Sequence, residues 1–459
     1  MRLFSKKITA LARESWAMSW PMILIMFFEF LIGLADVYVA GKVGKEIQAA
    51  YGLAFQLYFV GLIPAMALTA GTVSVVSKLF TAPQALKPSE HDAVIGENEE
   101  LKETVFSSLA SSTLMGVIVG ALVIMLSSAI IGLLRVPAII KNDSAALVRI
   151  YSLGFIFDYF LINANGILRA CGKVKISLRN YTIICLLNIV LNFVLVFATP
   201  LGFSGIAIAT VISVAVGALL NAVAVKNLLG AWRFRFRAFK EMVAIGWPIG
   251  LLQILWNLAT VVIFSILGSL PSNNIELIAA FTNGLKVEAA IFLPAFAFNL
   301  ANAVVVGNLL GKGKKDDAFK SGLVTAGLGM AIIVVLSLVV ILQARNIMTF
   351  LSNNSIVVSQ GFTYLYITFA FEPFMAWGVI LAGGLAGAGH TKNILAVVAL
   401  SLWIIKIPFC YLAGVVWGMG AVGMWWAMNL AIVFQAVLMS WYYFKKMRPV
   451  AKVIQVCST

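Results

Sequence analysis

Seven ionisable side chains lie inside long apolar segments of this 459-residue chain. If those segments lie in lipid, each charged group costs roughly 2.5–3.5 kcal/mol at the helix centre on insertion scales. Residues of this kind are retained where they bind, exchange or neutralise charge, so they are the first candidates for chemistry. They are Glu29, Asp36, Asp158, Lys286, Glu288, Glu372 and Lys406.

Three of these acids fall in the first half of the chain. Glu29 and Asp36 are separated by two helical turns, which places both on one helix face. Carboxylates on one apolar face repel each other, and this favours a site that takes up a proton or holds a small cation between oxygens. An alternative puts Asp36 at the water interface, because Lys42 follows closely. Asp158 has no oppositely charged residue near it in sequence, which marks it as functional unless a hydrated cavity solvates it.

Two asparagines accompany them. Asn188 and Asn192 are spaced i,i+4 and therefore share a face. Asparagines in a lipid-spanning helix need partners on other helices or in a hydrated cavity. Thr210 of the next segment is positioned to join them. The alternative is a purely structural bond between two helices.

In the second half, Glu288 lies in mid-segment with Lys286 two positions before it. Glu372 precedes Pro373, and a helix interrupted by proline often accompanies a transport site. Lys406 could neutralise Glu372, in which case that pair would be scaffolding and not a site.

The composition places all these groups in a membrane protein. Hydrophobic residues make up 62% of the chain and charged residues 11%, against about 25% charged in ordinary soluble domains. A helix needs roughly 20 apolar residues to cross a bilayer. The stretches that satisfy this predict an all-α integral membrane protein with about twelve spans, at 16–39, 50–79, 104–134, 145–170, 177–199, 204–229, 242–270, 276–310, 320–343, 360–388, 394–416 and 420–444.

The distribution of basic residues predicts the orientation. The net charge of +15 could suggest nucleic acid, but the Lys and Arg residues lie in short gaps between apolar runs. They favour the N-terminus, the C-terminus and the gaps after even-numbered spans by about four to one, which predicts that both termini are cytoplasmic. We therefore expect a multi-pass protein of the cell membrane that contacts lipid and does not bind nucleic acid.

An internal repeat divides the chain in two. IQAAYGLAFQLYFVGLIPAMA (47–67) matches LIAAFTNGLKVEAAIFLPAFA (277–297), and later Gly172 matches Gly389. An even number of spans precedes the second copy, so both copies share one orientation and are expected to be related by a pseudo-twofold axis along the membrane normal.

The same repeat predicts where the halves meet. Gly202 corresponds to Gly420, and the basic gap around Gly230 separates the two copies. We expect six-helix lobes at 1–230 and 231–459. The only long polar insert, 81–103, is expected to be a solvated loop, with a regulatory role as the alternative.

The sequence lacks the motifs of several classes of enzyme. There is no phosphate-binding GxxxxGK[ST] loop, no HExxH and no plausible triad, and the only histidines are His91 and His390. We expect no enzyme activity and no cofactor. A carrier without a nucleotide-hydrolysing module is driven by an ion gradient.

Together these features resemble the multidrug and toxic compound extrusion (MATE) family of secondary transporters. The resemblance covers essentially the whole chain. Its most specific segments are GLADVYVAGKVG (33–44), ILRACGKVK (167–175), PLGFSGIAIAT (200–210), GLKVEAAIFLPAFAF (284–298) and LAGGLAGAGHTK (381–392).

The resemblance implies a function and a set of site residues. It implies two lobes around a central cavity, alternating access, and export of cationic or amphiphilic organic compounds in exchange for H⁺ or Na⁺. By motif, it assigns coupling roles to Asp36, Asn188, Thr210, Glu288 and, more loosely, Glu372. We expect Asp36, Asn188, Asn192 and Thr210 to be able to hold Na⁺.

The remaining expectations concern the transported compound and the oligomeric state. We expect Gln253, Trp256, Asn257 and Lys286 to line the substrate cavity, and the carrier to be a monomer. A flippase for lipid-linked glycan precursors is the alternative transporter. It is disfavoured because only two basic residues, Lys286 and Lys406, lie inside helices and a polyanionic cargo would need more.

One position departs from the family pattern. Some branches have aspartate where this chain has Asn192, and those branches commonly lack a charge where this chain has Glu29. We hypothesise that one carboxylate has moved across the cavity, so that the first lobe still holds two acids.

Overall fold

A computed structural model describes residues 2–81, 99–133, 138–230 and 232–448. Within these ranges the chain has twelve helices that are long and apolar enough to cross a membrane, and no strand. The predicted all-α architecture and the helix count are confirmed. Most of the polar insert, residues 82–98 with His91, lies outside the described residues.

The helices are numbered in chain order. They are α1 Arg2–Val43, α2 Lys45–Thr81, α3 Glu99–Leu133, α4 Ala138–Ala170, α5 Val174–Phe197, α6 Ser204–Val225, α7 Phe236–Gly268, α8 Asn274–Gly311, α9 Lys315–Leu351, α10 Ser355–Gly387, α11 Thr391–Val416 and α12 Gly420–Met447. Within α11, the stretches Leu400–Lys406 and Leu412–Val416 have π-helical hydrogen bonding.

Several helices extend beyond the predicted spans because the apolar window marks only the part suited to lipid. In α9, predicted as 320–343, the helix starts at Lys315 and its first turns carry an Asp316–Lys320 ion pair of 2.6 Å at i,i+4 spacing. Such pairs support helical turns in water. The charged ends of these helices therefore extend beyond the bilayer core.

By contact the chain forms two compact units. We call Ala17–Val261 with Gly389–Leu395 the N-terminal unit, and Met1–Trp16, Val262–Ala388 and Ala396–Thr459 the C-terminal unit. These units follow spatial contact, whereas the predicted boundary at 230/231 follows the sequence repeat. That repeat boundary stays a prediction.

Small residues bring the helices of each unit into close contact. In the N-terminal unit, a Cβ added at Gly71 of α2 would lie 1.9 Å from the Met242 carbonyl oxygen of α7. In the C-terminal unit, a Cβ at Gly387 of α10 would lie 2.0 Å from the Ala303 carbonyl oxygen of α8. Close backbone approach of this kind is how membrane helices pack without a hydrophobic driving force.

Hydroxyl and amide side chains add bonds between helices. Thr72 of α2 and Ser108 of α3 share a 2.7 Å hydrogen bond, and Asn163 of α4 donates to the same Ser108 hydroxyl at 2.7 Å. In the C-terminal unit, Asn302 of α8 donates to the Ile380 carbonyl of α10 at 2.8 Å. These bonds fix the helices that carry the candidate site.

The glycines paired by the repeat have the same backbone conformation. Gly172 and Gly389 have φ of 72° and 89°, and Gly202 and Gly420 have φ of 55° and 62°. All four lie in the turn between two helices or at its edge, in the left-handed region that favours glycine. The two sequence copies therefore make matching turns at these positions.

Candidate functional site

Asp36 of α1 lies in a hydrogen-bond network that joins four helices of the N-terminal unit. The side chain is 2% exposed. Its Oδ2 accepts from the Tyr51 hydroxyl of α2 at 3.3 Å, and its Oδ1 accepts from the Asn192 amide of α5 at 2.5 Å. The same amide donates to Asn188 Oδ1 at 3.0 Å, and the Asn188 amide donates to Thr210 Oγ1 of α6 at 3.2 Å. The structure thus brings together the four residues expected to hold Na⁺.

Two buried oxygens beside Asp36 make no hydrogen bond. One is Asn192 Oδ1, and the other is the hydroxyl of Tyr151 on α4, which lies near Asp36 and Thr210. Buried acceptors without partners are costly unless something satisfies them. Carboxylate, amide and hydroxyl oxygens are the ligands that hard cations prefer. The donor set therefore fits a small cation.

We call the Asp36 network the first polar level of the N-terminal unit. Asp158 and Glu29 belong to a second polar level in the same unit. Asp158 of α4 is 5% exposed, and Tyr58 of α2 lies within hydrogen-bonding reach of its carboxylate. Glu29 has an exposed side chain within reach of the Tyr181 hydroxyl of α5, and Arg169 at the end of α4 lies near both. Glu29 and Asp36 both face α5, but through different residues, Tyr181 and Asn192.

Seven-residue spacing explains why two levels form. A separation of seven residues is two helical turns and about 10.5 Å along a helix. It recurs on three helices, in the pairs Glu29 and Asp36, Tyr51 and Tyr58, and Tyr151 and Asp158. The rings of Tyr58 and Tyr151 approach to 4.9 Å and join the levels. The tyrosines were not predicted as site residues, and this shared spacing is the sequence signal that could have revealed them.

Glu288 anchors the corresponding site in the C-terminal unit. Its Oε1 accepts a short hydrogen bond from the hydroxyl of Tyr364 on α10. The Tyr364 ring is fully buried and packs edge-on against Phe281 at 5.5 Å and Trp425 at 4.8 Å. The aromatic neighbours fix the hydroxyl that meets the carboxylate.

Glu372 and Lys406 complete this group. Glu372 is 2% exposed and its Oε2 has no hydrogen-bond partner. Lys406 lies in electrostatic range of both Glu372 and Glu288, which also lie near each other. The predicted proximity of Lys406 and Glu372 is present, but one lysine faces two carboxylates. The group can therefore hold one further positive charge.

The residues expected to line the substrate cavity are divided between the two units. Gln253, Trp256 and Asn257 share one stretch of α7 in the N-terminal unit, where Asn257 donates to the Gln253 carbonyl at 2.8 Å and Trp256 is 41% exposed. Lys286 lies on α8 in the C-terminal unit, in an open groove against α9. Among the residues that the structure describes, no cluster of three or more His, Cys, Asp or Glu side chains could hold a metal ion.

Comparison with known proteins identifies the family. A family model described as MatE matches residues 21–91, 93–194 and 248–412. The probable multidrug resistance protein NorM of Thermotoga maritima is 21% identical over 446 residues, covering 94% of this chain and 92% of that protein. The multidrug resistance protein NorM of Burkholderia vietnamiensis is 25% identical over 456 residues, covering 93% and 92%.

Solved structures share the fold. A MOP superfamily transporter from Pyrococcus furiosus superposes with a TM-score of 0.84 at 19% identity, covering 95% of this chain and 96% of that one. The MATE transporter VcmN of Vibrio cholerae gives a TM-score of 0.87 at 18% identity, covering 96% and 98%. With the family model matched over most of its length, the chain belongs to the MatE family of multi-pass membrane transporters.

Proposed function

We propose that this protein is a secondary antiporter that exports cationic or amphiphilic organic compounds in exchange for H⁺ or Na⁺. The observation that carries the proposal is the Asp36 network, in which one buried carboxylate is surrounded by amide and hydroxyl oxygens from four helices. Two of the nearby oxygens lack partners. Relatives named as multidrug resistance proteins support the cargo class.

Coupling follows from competition for negative charge. A carboxylate that holds a proton or Na⁺ loses its attraction for a cationic cargo. If the ion binds better in one state of the carrier and the cargo in the other, each drives the release of its competitor. The side chains of Asp36, Asn188, Asn192 and Thr210 would hold the ion in the N-terminal unit.

The C-terminal unit contains a second group of acids that could take part in coupling. Glu288 and Glu372 share the single cation Lys406. When both carboxylates are ionised, one negative charge is left over, and a proton, Na⁺ or an organic cation would neutralise it. We assign Glu288 and Glu372 to coupling, together with Asp158 and Glu29 of the second level.

The orientation belongs to the same proposal. We place both termini in the cytoplasm of a cell-membrane protein, on the distribution of Lys and Arg. The carrier functions as a monomer, since each unit contains its own acids and partner side chains.

The flippase alternative has no support in the structure. A polyanionic glycan precursor would need several unpaired cations, and Lys406 already faces two carboxylates. No matched relative quoted above is named as a flippase.

The test uses purified protein in proteoliposomes loaded with a fluorescent organic cation. Transport is measured under an imposed pH gradient and, in a separate arm, under a sodium gradient at constant pH. Acceleration by one gradient identifies the coupling ion. Equal transport with and without both gradients would refute antiport.

A further inference from the structure

Lys286 lies in an open groove between α8 and α9 of the C-terminal unit. The groove has a volume of about 560 Å³ and is largely apolar. Its lining consists of Lys286, Val287, Ala290, Gln343, Asn346, Ile347, Phe350 and Leu351. The α9 residues recur at three- and four-residue spacing and so form one helix face.

Lys286 is the only charged side chain in the lining of the groove. Among the described residues it makes no hydrogen bond or ion pair. Glu288 is two positions along α8, about 200° around the helix, and its carboxylate accepts from Tyr364. Lys406, by contrast, has two carboxylates nearby. A cation left on an apolar span needs a counter-ion from outside the chain.

The surroundings of the groove suit a lipid. Phe350 is 89% exposed and neighbouring Leu342 is 80% exposed, as expected for side chains that meet acyl chains. The groove runs along the last turns of α9, which ends at Leu351, so it lies near one face of the bilayer. A lysine can extend its ammonium group from an apolar stem toward that face.

The side-chain amides of Gln343 and Asn346 add neutral hydrogen-bond donors beside the Lys286 ammonium group. Asn346 donates to Gln343 Oε1 at 2.7 Å. Each amide nitrogen carries two hydrogens, so N–H groups of both residues remain available to an anionic oxygen. A cation, two amides and an apolar channel match a phosphate joined to acyl chains.

We propose that this groove binds an anionic phospholipid, with the phosphate on Lys286 and an acyl chain along Ala290 and Ile347. The occupant is a lipid and not the exported cargo, because a cationic cargo would be repelled by Lys286. The site is independent of the transport mechanism and is tested without a transport measurement.

The test is native mass spectrometry of the full chain with added phosphatidylglycerol or phosphatidylcholine. Wild type is expected to retain one phosphatidylglycerol in preference to phosphatidylcholine. Lys286→Gln is expected to weaken phosphatidylglycerol binding roughly fivefold, the effect of one basic residue near an anionic lipid surface. Lys286→Arg is expected to retain binding.

Arg345→Gln is the matched control, because Arg345 is exposed on the same helix and does not line the groove. It is expected to bind like wild type. Ala290→Trp keeps the charge but fills the groove, and is expected to lose the lipid. Inorganic phosphate at millimolar concentration is expected not to compete.

Three results would overturn the proposal. Unchanged phosphatidylglycerol binding in both Lys286→Gln and Ala290→Trp would show that the lipid sits elsewhere. An equal loss in Arg345→Gln would show general charge attraction. Displacement by inorganic phosphate would show a site for the free anion.

Discussion

Asp36 shows how a buried acid can be held without a salt bridge. Both carboxylate oxygens accept a hydrogen bond, from Tyr51 and Asn192. Hydrogen bonds to a charged acceptor are stronger than neutral ones and offset part of the cost of burial. The unpartnered oxygens of Asn192 and Tyr151 are available to the cation that we propose binds here.

The seven-residue spacing singles out the tyrosines in the sequence, but it does not show that their hydroxyls meet the acids, and nothing in the sequence marks Arg169 as a partner. An aromatic residue in an apolar span is usually a packing residue, and only its distance to an acid shows that its hydroxyl is used. In the sequence, Arg169 stands next to the basic residues that follow α4, whereas the structure places it near Glu29 and Tyr181. Side-chain length lets it reach back from the end of α4.

Glu29 provides a residue-scale prediction. If the second acid of the N-terminal unit has moved to this position, Glu29→Gln should slow ion-driven efflux by about tenfold, within the usual range for coupling free energies. Adding Asn192→Asp to that variant should restore part of the rate. Proteoliposome efflux under the coupling gradient is the measurement.

Glu14→Gln is the control for this experiment, since Glu14 is an exposed acid on the same helix. It should transport at the wild-type rate. Unchanged efflux in Glu29→Gln would contradict the hypothesis that the second acid has moved to position 29.

At the scale of elements, α8 and α10 are fitted to each other around Tyr364. A Cβ added at Gly284 of α8 would lie 2.2 Å from the Tyr364 ring. The ring cannot move aside easily, because Phe281 and Trp425 pack against it. Glycine at this position therefore allows the bond between Tyr364 and Glu288.

Gly284→Ala should consequently destabilise the protein by about 1–3 kcal/mol, the usual cost of overpacking. It should also impair ion-driven efflux, because Tyr364 or α8 must shift. Tyr364→Phe, which keeps the ring, should lower efflux with little loss of stability. Thermal unfolding and efflux are measured in parallel.

Gly327→Ala is the matched control, since no atom beyond the adjoining backbone of its own helix lies within 4 Å of the added Cβ. A stable, active Gly284→Ala variant would show that the packing around Tyr364 is not required.

The elements were largely predictable, since apolar runs of sufficient length locate all twelve spans. Their ends were not, because charged turns such as that of Asp316 and Lys320 continue a helix beyond the apolar window. The π-helical stretches of α11 carry no residue pattern that distinguishes them from ordinary helix.

At the scale of the whole molecule, the distribution of Lys and Arg predicts the orientation in the membrane. With both termini cytoplasmic, the turn at Lys314 faces the cytoplasm and the turn at Asn353 faces outside. On intact cells a membrane-impermeant maleimide should label Asn353→Cys and not Lys314→Cys.

The native cysteines should not be labelled in that assay. Burial raises the pKa of Cys171 to about 12, so at neutral pH almost none of it is the reactive thiolate. Cys185 and Cys410 are buried, and Cys457, outside the described residues, is replaced by serine. Labelling of Lys314→Cys but not Asn353→Cys would invert the proposed topology.

The central claim is that buried acids exchange an ion for cargo, and one measurement tests it most directly. Asp36→Asn, Glu288→Gln and Glu372→Gln are combined, and gradient-driven efflux is measured in proteoliposomes. A control variant combines Glu14→Gln, Asp143→Asn and Glu276→Gln, three carboxylates outside the site. We predict that the site variant falls to the rate of protein-free liposomes while the control keeps the wild-type rate. Intact gradient-driven efflux in a folded site variant would contradict the account.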